Sequence, residues 1–145
     1  MGNGNNSPHG EIRPGGSLAG GFSAEVQIGE GRTLVHLLAV SQGRDWVLHI
    51  TGGTAHVGAV ATADGHQVQL SVVGNHKEGP LAEVCALQWS HLTGNICVAV
   101  VGIHQDNATK SEIDGIVDNV RLGLDTLATR WKEAAGVGKD DDQVV

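Results

Sequence analysis

Three short segments hold the residues of this chain best suited to chemistry, and each sets a histidine among glycines. Residues 51–58 contain Gly52, Gly53, His56 and Gly58; residues 74–80 contain Asn75, His76, Lys77, Glu78 and Gly79; residues 102–107 contain His104, Asp106 and Asn107. Glycine takes positive φ and lets backbone come close to a ligand. Histidine binds metal, moves a proton or hydrogen-bonds an anion near neutral pH. The second and third segments each run into an expected helix, whose first turn carries unpaired amides and partial positive charge. The set suits a site for a small molecule bearing phosphate or carboxylate.

Each segment also has a plainer reading. In 74–80 two glycines bracket the loop, Lys77 supplies a cation and Pro80 opens a helix, which suits an anion cradle; an ordinary strand-to-helix loop would look similar. The spacing is not that of a P-loop, which needs G-x-x-x-x-G-K-[ST]. In 102–107 a very apolar run ends at His104, where ligands commonly sit. Asp106 or Asn107 is equally suited to capping the helix that follows. Residues 52–58 read as well as a tight hairpin with a solvated histidine. His56, His76 and His104, with Glu78 or Asp106, have ligand types for Zn, Mn or Fe. No two of them stand at i, i+4, and no CxxC pair is present, so no metal is expected. His9, His36, His49, His66 and His91 read as structural or surface residues. No G-x-S-x-G elbow occurs, and no catalytic residue is assigned.

The elements that must position these segments follow from hydrophobic period. Residues 22–28 alternate, 33–40 are rich in Leu and Val, and Trp46, Leu48 and Ile50 share one face of a third run that Gly52 and Gly53 break. Residues 55–62 and 67–73 follow, joined at Asp64-Gly65, a type I′ hairpin signal. These five runs read as an antiparallel meander. Pro80 fits the first position of a helix and Gly94 its C-terminal cap, with Leu81, Val84, Leu87 and Leu92 on one face. Residues 96–103 are continuously apolar, as a central strand would be. Thr109 and Glu112 match a capping box, and Ile113, Ile116, Val117, Val120, Leu124, Leu127 and Trp131 recur at helical spacing. The fold expected is α+β: a mainly antiparallel sheet of about six strands with two helices packed on it, in the order β-β-β-β-β-α-β-α.

Composition narrows the partners. The 145 residues suit one domain, expected at 22–135. Residues 1–21, rich in Gly, Asn and Ser, and the acidic residues 136–145 read as disordered tails. A net charge of −7 with nine scattered Lys and Arg argues against nucleic acid or an anionic membrane surface. No apolar run is long enough to span a bilayer, and the start of the chain lacks the apolar stretch of a signal peptide. Cys85 and Cys97 lie in apolar runs and read as buried free thiols of a cytoplasmic protein. Tyr is absent and Phe22 is the single Phe, so stacking on a flat ligand would fall to Trp46, Trp89, Trp131, Phe22 or a histidine.

Taken in order, Gly53-x-x-His56-x-Gly58, Gly74-x-His76-Lys77-Glu78-Gly79 and Gly102-Ile103-His104-x-Asp106-Asn107-Ala108-Thr109, with a final amphipathic helix, resemble the LpdD-like prenylated-flavin chaperones. The resemblance spans about 22–134. It implies a non-catalytic protein that binds prenylated FMN (or FMN) made by a flavin prenyltransferase and supports its delivery to a UbiD-type decarboxylase acting on hydroxyarylic acids. Phosphate would then sit on 74–80 or on the helix beginning near Thr109, and the ring against Gly52-Gly53. A homodimer, paired through a sheet edge, would suit such a chaperone. Two other readings stay open: a small metal- or histidine-dependent enzyme using His56, His76 and His104, and an assembly subunit without a small ligand.

Overall fold

Alternate residues of four strands are almost wholly buried, and this alternation organises the molecule. The computed structural model describes residues 21–74 and 77–136. The elements are β1 (Ser23–Ile28), a 3₁₀ turn (Gly31–Thr33), β2 (Val35–Gln42), β3 (Asp45–Gly53), β4 (Ala59–Asp64), β5 (Gln67–Val72), α1 (Gly79–Thr93), β6 (Cys97–His104) and α2 (Lys110–Ala134). Val35, Leu37 and Ala39 of β2, Trp46, Leu48 and Ile50 of β3, Ala59, Ala61 and Ala63 of β4, and Cys97, Ala99 and Val101 of β6 all face the core. Both helices pack on this face, α1 over β4, β5 and β6 and α2 over β1 and β2. Two layers result, as expected for an α+β domain.

The strand order is β1-β2-β3-β6-β4-β5. This corrects the expected meander. β6 enters between β3 and β4, parallel to β3 and antiparallel to β4. The physical reason lies in composition. β6 is apolar without a break from Cys97 to Ile103, so it is the strand that gains most from a place with neighbours on both sides. The third run is also longer than expected: β3 continues through Gly52 and Gly53, and residues 54–58 form a loop before β4. At the β4–β5 turn, Asp64 pairs with Gln67, leaving Gly65 and His66 as the loop. Only Gly65 of these two has positive φ (64°), the pattern of a II′ rather than a I′ turn.

The helices carry a second correction. The buried face of α1 is Ala82, Cys85, Ala86 and Trp89, while Val84 is exposed. Small residues on α1 meet the alanines of β4, so the helix seats close to the sheet; the larger Leu81, Leu87 and Leu92 flank that contact. α1 ends as expected at Gly94 (φ 73°). α2 begins with the full capping box: Glu112 N donates to Thr109 Oγ1, and Thr109 N donates to Glu112 Oε1. Trp46 meets Phe22, Trp89 and Trp131 edge-on, with ring centroids 5.3–6.2 Å apart. All three tryptophans are thus committed to the core, and Trp46 and Trp89 are not available to stack on a ligand.

Candidate functional site

The end of β6 and the start of α1 meet at one buried carboxylate. Glu78 precedes α1, and its side chain is 11% exposed. Its Oε1 accepts from Ile103 N (3.4 Å) and lies 3.1 Å from His56 Nε2. The other ring nitrogen of His56 lies 3.1 Å from the Thr54 carbonyl. Both ring nitrogens therefore lie beside oxygen atoms, which fixes the orientation of the ring. Glycines make the junction possible. A Cβ on Gly102 would fall 1.5 Å from the His56 carbonyl oxygen, and one on Gly58 would fall 2.6 Å from Glu78 Oε2. Gly53, at φ 58°, lets Thr54 N donate to the His104 carbonyl, and a Cβ there would fall 2.1 Å from that oxygen.

Beside this junction, between the N-terminal halves of the two helices, lies a cavity of about 710 Å³. Leu81, Ile103, Ala108, Ile113, Ile116 and Val117 make its apolar wall; Lys77, Glu78, His104 and Gln105 add the polar groups. His104 is half exposed, and its Nε2 lies 2.8 Å from Asp106 Oδ1. The His56 and His104 rings meet edge-on, with centroids 6.2 Å apart. The first turn of α1 has no side-chain cap and includes Pro80. The first turn of α2 is already closed by Glu112, whose carboxyl is held below the usual carboxylate range by the Thr109 backbone amide and then by Arg32.

The expected site residues that the structure describes divide into three groups. Lys77, Glu78 and His104 line the cavity, and His56 stands behind Glu78. Gly52, Gly53 and Gly58 face protein atoms rather than the cavity: a Cβ on Gly52 would meet the Leu34 carbonyl at 3.0 Å. Gly79 is buried, and a Cβ there would meet Leu70 at 3.1 Å, so it seats α1 on β5. Asp106 and Asn107 are exposed on the loop before α2, where Asn107 takes φ 52° and the Asp106 carbonyl accepts from Arg32 (2.6 Å). Asn75 and His76 lie outside the described residues. Among those described, no group of three His, Cys, Asp or Glu side chains is placed to hold a metal.

The family model for the prenylated flavin chaperone LpdD-like domain matches residues 29–132. The chain belongs to this family. It is a family of chaperone domains, not one of catalysts. The match takes in β2 to β6, both helices up to Lys132 and the whole wall of the cavity. No curated protein matches the chain. Among solved structures, a chain from the crystal structure of a novel chaperone complex for yeast 20S proteasome assembly is similar, with TM-score 0.56 and 13% identity. The similarity covers 77% of this chain and 98% of that one, and it shows a shared fold.

Residue reasoning missed the apolar half of the cavity. Leu81, Ile113, Ile116 and Val117 belong to helical stripes and read as core. In the fold Ile113, which opens the stripe of α2, is 50% exposed, whereas Ile116 is buried. Arg32 was also missed. It pairs with Glu112 across 80 residues and so ties the 3₁₀ turn to α2.

Proposed function

We propose that the protein is a cytoplasmic homodimeric carrier of prenylated FMN, taking the cofactor from a flavin prenyltransferase and supporting a UbiD-type decarboxylase. The observation that carries this reading is the cavity: an apolar wall with a cationic, hydrogen-bonding rim, in a chain of the prenylated flavin chaperone family. Its volume lies within the range of about 300–1,000 Å³ typical of sites for small molecules and cofactors. The residues present fit the group. Leu81, Ile103, Ile113, Ile116 and Val117 offer an apolar surface to a flat, prenyl-bearing ring. Lys77 and the uncapped first turn of α1 offer charge and amides to a phosphate. His104 and Gln105 would hydrogen-bond the polar edge of the ring. Glu78, held by Ile103 N and His56, would set the shape of the cavity end while giving the ligand a fixed acceptor.

The cofactor supplies its decarboxylation chemistry in the partner enzyme; here it is only held. Aliphatic walls in place of stacked aromatics suit a carrier that must release what it binds. The test is a fluorescence titration of the purified chain with FMN and with prenylated FMN. Saturation near one ligand per chain is expected, tighter for the prenylated form. No binding of either form at high micromolar concentration would overturn the reading.

A further inference from the structure

Among the described residues no helix covers the second face of the sheet, and its composition is that of a contact surface. Pairing across the sheet aligns its side chains in rows. One row runs Ser23, Val40, Val47, Val98, Thr62, Gln69. The next runs Glu25, Leu38, His49, Val100, Val60, Ser71. The middle four strands therefore present Leu38, Val40, Val47, Val60, Val98 and Val100, all half-buried, around His49 and Thr62. The outer strands present Ser23, Gln27, Gln67, Gln69 and Ser71 as a polar rim. The charged side chains of this face stand at its margin: Glu25 on β1, whose Oε2 lies 2.9 Å from His36 Nε2, and Asp45 and Asp64 at the ends of β3 and β4. An apolar centre without charge inside a polar rim is the anatomy of a protein interface.

We infer that this open sheet face is where two copies of the chain meet, sheet against sheet. The inference rests on the homodimer reading above and adds the surface. Three observations favour a second copy. Each chain carries a formal charge of −7, and two like-charged copies approach at least cost through the one broad face nearly free of charge. Six strands about 4.8 Å apart and about six residues long at 3.3 Å make a face of roughly 25 by 20 Å. That is of the order of the about 800 Å² per partner that stable dimers bury. The chain's own first 20 residues are a poor cover, since their larger apolar side chains are only Met1, Ile12 and Leu18. The arrangement would be a β-sandwich with sheets about 10 Å apart. It leaves the cavity, which lies on the helical side, open to its ligand.

The test is sedimentation velocity on the full chain over about a hundredfold range of concentration, with Val98→Lys and Val47→Lys as variants. In an isologous interface each substitution acts twice. We expect a wild-type dimer and variants that dissociate at least about a hundredfold more readily, with melting temperatures at infinite dilution unchanged. A wild type that stays monomeric overturns both the homodimer and the face. A dimeric wild type with folded, equally dimeric variants overturns the face alone and returns the contact to a sheet edge. If neither variant folds, Thr62→Cys decides, because the native thiols are buried. Its maleimide labelling must slow as concentration rises; a constant rate overturns the inference.

Discussion

At the level of single residues, Glu78 and its neighbours divide the labour between shape and binding. Removing the carboxylate in Glu78→Ala leaves Ile103 N and His56 without it, and we expect about 1–3 kcal/mol of lost stability by chemical denaturation. Gly102→Ala should be as damaging, at about 2 kcal/mol or more, because its Cβ must displace the His56 backbone. Lys77 and His104 should behave in the opposite way. Both are exposed, so Lys77→Ala should change stability by no more than about 0.5 kcal/mol. Its loss of a charge-assisted contact should weaken flavin binding by about 1.5–3 kcal/mol, and His104→Ala by about 1 kcal/mol, both read by titration. Wild-type affinity in Lys77→Ala would remove it from the phosphate site. The histidine-glycine segments stand out in the sequence, but the task of each glycine does not. A sequence shows that a residue lacks Cβ; it does not show whether the freed space faces a ligand or, as at Gly53, Gly58 and Gly102, another part of the chain.

At the level of elements, local grammar was readable and long-range contact was not. The capping box at Thr109 and the glycine at 94 are set by residues three or four apart, and both stand as the sequence implies. The buried face of α1 depends instead on the alanines of β4, some twenty residues away, which select Ala82, Cys85 and Ala86 over Leu81 and Val84. The cap of α2 has a pH signature. The Glu112 carboxyl is held below its ordinary value near 4.5 by the Thr109 amide and then Arg32. A depressed value in the fold means stability that is present above about pH 4.5 and lost as pH falls through the folded value. Glu112→Gln should therefore melt below wild type at pH 7, and the difference should close in acid. The thiols behave oppositely: burial pushes Cys85 and Cys97 up to about 12. Their neutral forms are favoured by the fold up to about pH 9, and that contribution fades between about 9 and 12. Both should resist a disulfide reagent at pH 8 until the protein is unfolded.

At the level of the whole molecule, strand content and helix count could be read from periodicity, whereas the order of strands could not. Hydrophobic period states that a segment is a strand; it carries no address for its partner. β6 takes its place between β3 and β4 only after α1 has crossed the sheet, so the pairing joins residues about fifty apart on one side and nearly forty on the other. That single insertion has a consequence for how the chain matures as it is made. Before β6 arrives, β1–β2–β3 and β4–β5 are two separate antiparallel units, each formed by neighbours in sequence. The cavity wall draws on Ile103 and on the first turns of α2, so neither unit contains a binding site. A ribosome-bound fragment ending near residue 96 can fold its hairpins but hold no ligand. In refolding followed by pulsed hydrogen exchange, amides joining β1 to β2 should be protected no later than those joining β3 to β6. Ligand capture should begin only once residues 103–117 have joined the fold, because they complete the cavity wall.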